Sequence, residues 1–191
     1  MDDVSSRPIE RDRPAGARDE ELALAARSDS AAFGLLYDRH RLAVFRYLRT
    51  RTSNEDDAAD LTAVAFERAL VAMPRYRSSG GGFLAWLLRI ARNAAIDAGR
   101  RSVTVPLGED LTDPIPTNAP ETQALVREAR AALMTAVDRL PDVQREAIAL
   151  RYGARLSARE IGEVIGKSDQ ATQKLLQRAI ATIRESYRVD R

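Results

Sequence analysis

The sequence predicts an all-α protein: two small helical domains joined by a flexible acidic linker, the C-terminal one a helix-turn-helix. Three observations lead there. Apolar residues recur at three-, four- and seven-residue spacings through most of 19–101 and again from about 122 to the end. The stretch 103–121 loses that period, holds Pro106, Pro114, Pro116 and Pro120, and carries acids but no Lys or Arg. The pair 157–180 has the caps of two short helices around a tight turn at Gly166. No segment alternates as a strand would.

The boundaries follow from these shifts. Residues 1–18 mix Arg, Asp, Pro and Gly without periodicity and are expected to be a disordered leader. A first domain covers 19–102, the linker 103–121 and a second domain 122–191. In the first, Phe33, Leu36, Tyr37, Val44, Tyr47 and Leu48 form one helical stripe. Ser53 to Asp56 reads as a capping box opening a helix that buries Ala58, Leu61, Ala65, Ala69 and Met73 and stops before Pro74. After a loop ending in Gly80-Gly81-Gly82, a flexible segment on this reading, a helix runs from about Phe83 to Arg101. Phe83, Trp86, Leu87, Ile90, Ala94 and Ala98 make its apolar stripe, which places Trp86 in the core. In the second domain Pro141 is expected to open a helix as its first residue. Ser157 and Glu160 make a capping box, Gly166 ends that helix and Ser168 caps the next. Ile161, Ile165, Ala171, Leu175 or Leu176, and Ile180 are the expected core, with Leu150 and Leu156 from the preceding segment.

Composition excludes several functions. There is no cysteine and a single histidine, His40, in 191 residues. Disulfides, thiolate metal sites, cysteine nucleophiles and multi-histidine centres are therefore absent, and no metal or cofactor is expected. His40 reads as an ordinary surface or half-buried side chain. No run is long and apolar enough to span a bilayer and no apolar signal core opens the chain. A cytoplasmic protein without membrane contact is the expectation. Gly166-Lys167-Ser168 lacks the earlier glycine and the strand of a phosphate-binding loop.

Net charge is only +2, yet the cations cluster. Between 75 and 101, six arginines (Arg75, Arg77, Arg89, Arg92, Arg100, Arg101) face Asp97 alone. Arg89, Arg92, Asn93 and Arg100 fall largely off the apolar stripe, an arrangement that suits the phosphates of a single DNA strand; a solvated basic face is the alternative. Asp56, Asp60 and Glu67 share an outer face with Ala63 and Val64, suited to protein docking or simply to solvent.

These pieces, in this order over roughly 20–188, resemble the extracytoplasmic-function group of bacterial sigma-70 factors. Asp57-Ala58-Ala59-Asp60-Leu61 with Phe66 and Arg68-Ala69 looks like the family's polymerase-binding helix. Phe83 to Asn93, with Asp97 and Arg100-Arg101, is very close to its promoter-melting and −10 helix. Leu140-Pro141, Gln144-Arg145-Glu146, Leu150-Arg151-Tyr152, Leu156-Ser157 and Glu160-Ile161 look like its −35 domain. The resemblance implies a sigma factor, not an enzyme, that binds core RNA polymerase at the clamp and flap and directs promoter recognition, opening and initiation. It implies polymerase contacts at Asp56, Asp57, Asp60, Leu61, Val64 and Glu67. It implies −10 contacts, including the non-template single strand, at Arg75, Arg77, Ser78, Ser79, Arg89, Arg92, Asn93, Arg100 and Arg101, with a base captured beside the loop from Tyr76 to Gly82. It implies duplex contacts at the −35 element from Arg155, Ser157, Ser168, Asp169, Gln170, Gln173, Lys174, Gln177 and Arg178. An anti-sigma partner is common in the family. Two departures stand out: Ala63-Val64 replaces a frequent Gln-Glu, and Gln173 and Leu175 replace usual basic residues. A dimeric helix-turn-helix activator would explain the C-terminal half but leaves the basic 83–101 helix idle, and a sigma-like decoy that binds a regulator and no DNA would not need it.

Overall fold

The computed structural model describes residues 15–52, 54–99 and 120–189. Residues 1–14 of the expected leader and 103–119 of the expected linker lie outside them. The described residues form eight α-helices and no strand. They are α1 (Ala15–Ala25), α2 (Ser30–Arg49), α3 (Glu55–Ala72), α4 (Gly82–Gly99), α5 (Pro120–Asp138), α6 (Asp142–Ile148), α7 (Ala158–Ile165) and α8 (Asp169–Val189). A 3₁₀ turn at Met73–Arg75 follows α3, and a π-helical turn at Ala149–Gly153 follows α6.

Local chemistry sets the helix ends. Asp29 caps α2 through a 2.8 Å bond from the Ala31 amide. The cap of α3 is Asn54, not Ser53 as expected; Ser53 itself lies outside the described residues. The Asn54 side chain accepts from the Asp57 amide at 2.7 Å and donates to the Asp57 carboxylate at 2.9 Å. Its side-chain amide thus meets Asp57 both as acceptor and as donor. Ser157 and Glu160 form the expected capping box, and Gly166 closes α7 in the left-handed region at φ 72°. Ser168 caps α8 by accepting from the Ala171 amide. Pro141 sits just outside α6 with extended ψ, as the cap rather than the first helical residue. Two ends extend past expectation: α1 begins four residues before Asp19, and Pro120 and Glu121, assigned to the linker, already belong to α5.

The inner faces differ in detail from the sequence reading. Leu61 is half-buried while Thr62 is buried, its hydroxyl satisfied by the Ala58 carbonyl at 2.7 Å. Ala171 is exposed and Thr172 faces inward, bonded to the Ser168 carbonyl. In both places a threonine that satisfies its own hydroxyl one turn back occupies the core register. Trp86 is half-buried, with Tyr76 and Phe83 rings 5.0 and 5.6 Å from its own. His40 is buried, its Nε2 3.1 Å from the Asp19 carboxylate and its ring 5.5 Å from Phe83. Asp19 also pairs with Arg39, and Glu20 accepts from Tyr76, so α1 is pinned to α2 and to the loop before α4.

The two halves share one core. Buried side chains run without a break from Leu36, Tyr47, Leu87 and Leu88 to Leu140, Leu150, Leu156 and Ile161. Helix α7 lies on α4, and the π turn lies on α2. The triple-glycine loop is part of this seam: Gly81 is buried, and Gly80 and Gly81 are overlain by Arg159 and Glu163 of α7.

Gly162 and Gly166 separate two uses of glycine. A Cβ at Gly162 would stand 2.5 Å from the Lys167 carbonyl oxygen, whereas a Cβ at Gly166 would meet nothing within 4 Å. Gly166→Ala should therefore cost about 1 kcal/mol of backbone strain. Gly162→Ala should cost more, on the order of 2–3 kcal/mol, because backbone must move. Urea unfolding of both variants checks the order.

Candidate nucleic-acid interface

Helix α4 supplies the basic face. Arg89 and Asn93 are exposed and four residues apart, so they stand one above the other. Arg92, half-buried, lies beside them but is not free: its Nε is 3.8 Å from the Glu146 carboxylate of α6. Arg75, Arg77, Ser78 and Ser79 are exposed on the loop that precedes α4. Arg75 and Arg77 line an open hollow of about 700 Å³ together with Leu24, Arg27, Pro74 and Tyr76. The sequence reading missed Arg27, because only the fold brings the end of α1 to this loop. Tyr76 is buried rather than presented to a base. Desolvation, and then the Glu20 carboxylate, raise its phenol pKa well above the usual value. Arg100 and Arg101 fall outside the described residues.

Helix α8 supplies a second polar face. Asp169, Gln170, Gln173, Lys174, Gln177 and Arg178 are all exposed. Their spacing of one, three and four keeps them on one side of the helix, opposite Thr172, Leu176 and Ala179. Gln173 donates to the Asp169 carboxylate at 3.2 Å, so one polar group of this face orients another. Ser157 and Ser168 are exposed but serve as helix caps, and their hydroxyls position α7 and α8. Arg155 is exposed and holds φ 58°, in the left-handed region that non-glycine residues rarely adopt.

Helix α3 supplies an acidic face. Asp56, Asp60 and Glu67 are exposed; Asp57 is exposed and engaged in the Asn54 cap; Val64 is half-buried. Leu61 packs partly into the core.

A fourth cluster had no sequence signal. Glu146 is 4% exposed and lies between the halves. It accepts from the Tyr47 hydroxyl at 2.6 Å and pairs with Arg51 as well as Arg92. Burial raises the Tyr47 pKa, opposed by the charges of Arg51 and Arg92.

Comparisons with known proteins identify the family. The Sigma-70 region 2 model matches residues 36–103, which include α3 and α4, and the Sigma-70 region 4 model matches 130–183, which include α7. The ECF RNA polymerase sigma factor BldN of Streptomyces coelicolor is 37% identical over 87% of this chain and 65% of its own length. ShbA of Streptomyces griseus, also an ECF RNA polymerase sigma factor, is 32% identical over 81% of this chain and 86% of its own. Among solved structures, CnrH in complex with the cytosolic domain of CnrY superposes with a TM-score of 0.68 at 25% identity, covering 91% of this chain and 99% of that one. The chain belongs to the extracytoplasmic-function group of sigma-70 factors. It is a transcription-initiation factor and not an enzyme. No helix among the described residues is long and apolar enough to cross a membrane.

The two raised phenols set an alkaline limit. A group held protonated in the fold contributes its stability fully below its unfolded pKa of about 10 and loses it as pH rises above that. Stability should fall as pH rises above about 10, and Tyr47→Phe with Tyr76→Phe should flatten the fall. Urea midpoints across that window measure it; an unchanged slope in the double variant would contradict the assignment.

Proposed function

We propose that this sigma factor divides its work among the three surfaces. The exposed acidic face of α3, centred on Asp60, docks on core RNA polymerase. The basic face of α4 and the arginine-lined hollow hold the non-template strand at the −10 element, with phosphates on Arg89 and Arg92 and a base in the hollow. The outer face of α8 enters the −35 major groove, where Gln170, Gln173 and Gln177 offer the paired donor and acceptor that suit adenine. The near-neutral charge of α8 suits a reader whose affinity is supplied largely by polymerase. The observation that carries this reading is the exposure of all three faces on separate helices within a chain that belongs to the family. The protein works in the cytoplasm, where polymerase is. A second protein is a further proposed partner, since the similar CnrH was solved in complex with the cytosolic domain of CnrY.

Arg89→Ala with Arg92→Ala should lower open-complex formation at least about tenfold while core polymerase still retains the chain in a pull-down. Loss of retention instead would move docking onto α4. Asp60→Ala should weaken retention several-fold, as expected for one charged contact at an interface. Unchanged affinity would remove Asp60 from the docking face.

A further inference from the structure

Glu146 is a buried acid between the N- and C-terminal helices, and its surroundings suit a different anion. Its carboxylate has two oxygens, and both are engaged. One accepts from Tyr47, and the other faces Arg51 and Arg92. The Nε atoms of Arg51 and Arg92 are nonetheless buried without a hydrogen-bond partner. Two guanidinium groups and a phenol hydroxyl offer more donors than a carboxylate can satisfy. A phosphodiester presents two anionic oxygens and two ester oxygens in a tetrahedral arrangement, which spreads its acceptors over a wider arc than a planar carboxylate and suits guanidinium forks. The site is within reach of solvent: the Arg51 and Arg92 side chains are 25% and 31% exposed.

The contact that brings Glu146 here is built into the loop before α4. A Cβ at Gly80 would stand 2.5 Å from the Arg159 guanidinium, and one at Gly81 would stand 2.8 Å from Glu163 Cγ. Larger residues at these positions would hold α7 away, and with it the C-terminal helices.

We infer that Tyr47, Arg51 and Arg92 form a phosphodiester subsite for the promoter strand, and that Glu146 fills it in the closed chain in place of the phosphate. The inference rests on the placement of Arg92 at the −10 strand. The exchange is feasible because a buried ion pair gives little net stability: desolvation offsets most of its attraction. DNA that binds the vacated arginines then shifts the population towards the open chain.

The test uses the full chain and a fluorescent single-stranded 20-mer DNA at low salt. Glu146→Gln should bind it about tenfold more tightly than wild type. Adding Arg51→Gln should abolish the gain and reduce the log–log salt slope by about 0.7, the value for one phosphate contact on a single strand. A second variant avoids the buried acid. A Cβ at Gly81 would stand 2.9 Å from Ala85 Cβ and 3.0 Å from Glu163 Cβ, so Gly81→Val should keep α7 from seating. It should bind the DNA more tightly than wild type with Glu146 unchanged. Glu146→Gln binding no tighter than wild type, or Gly81→Val binding no tighter, overturns the inference. If that happens while Arg89→Ala with Arg92→Ala still loses promoter opening, the proposed function stands and the subsite alone fails.

Discussion

The arrangement of the whole chain is constrained by one carboxylate buried between its halves. A charge in that position is tolerated only when donors surround it. Tyr47 supplies one from the inner face of α2, Arg51 another from just beyond that helix, and Arg92 a third from α4. These are on the N-terminal helices, while Glu146 is on α6. The π-helical turn after α6 then lays Gly153 against α2, where an added Cβ would stand 3.6 Å from the backbone of Arg46 and Tyr47. The flat Gly80-Gly81 backbone receives α7 in the same way. Changing any of these positions would disturb a seam that includes much of the apolar core.

That seam also divides the functional surfaces. It covers part of α4 and draws Arg92 inward, while Arg89 and Asn93 beside it stay in solvent. The acidic face of α3 and the polar face of α8 are exposed. A chain closed in this way presents the proposed polymerase-docking and −35 faces while part of its proposed −10 face is occupied by its own glutamate. Such an order suits a factor that should engage the promoter strand only after polymerase has been bound.

Much of the fold was legible because its signals are local. Helical spacing, the Ser157–Glu160 box and the Gly166 cap depend on residues within one turn of each other, and the structure has them as expected. Errors arose where two residues compete for one role. Asn54 replaces Ser53 as a cap, and Thr62 and Thr172 enter registers expected for Leu61 and Ala171. His40 is buried because Asp19, on another helix, meets it. The basic and acidic stretches were visible as composition, and the fold adds Arg27 and the hollow to them. The Glu146 cluster had no such signal. Its Tyr47 partner is 99 residues away, and the Gln144-Arg145-Glu146 motif that singled out Glu146 says nothing of what its carboxylate meets. Expecting a flexible glycine loop and a tether said nothing of the close approach those glycines permit.

The most direct test of the account is a distance measurement across the seam. Val71 of α3 is 79% exposed and Ala181 of α8 is also exposed. Both can be changed to cysteine and labelled in a chain that has no other cysteine. The account predicts one narrow distance in the free chain that changes when core RNA polymerase and promoter DNA are added. A broad distribution in the free chain, or an unchanged distance in the promoter complex, would contradict it.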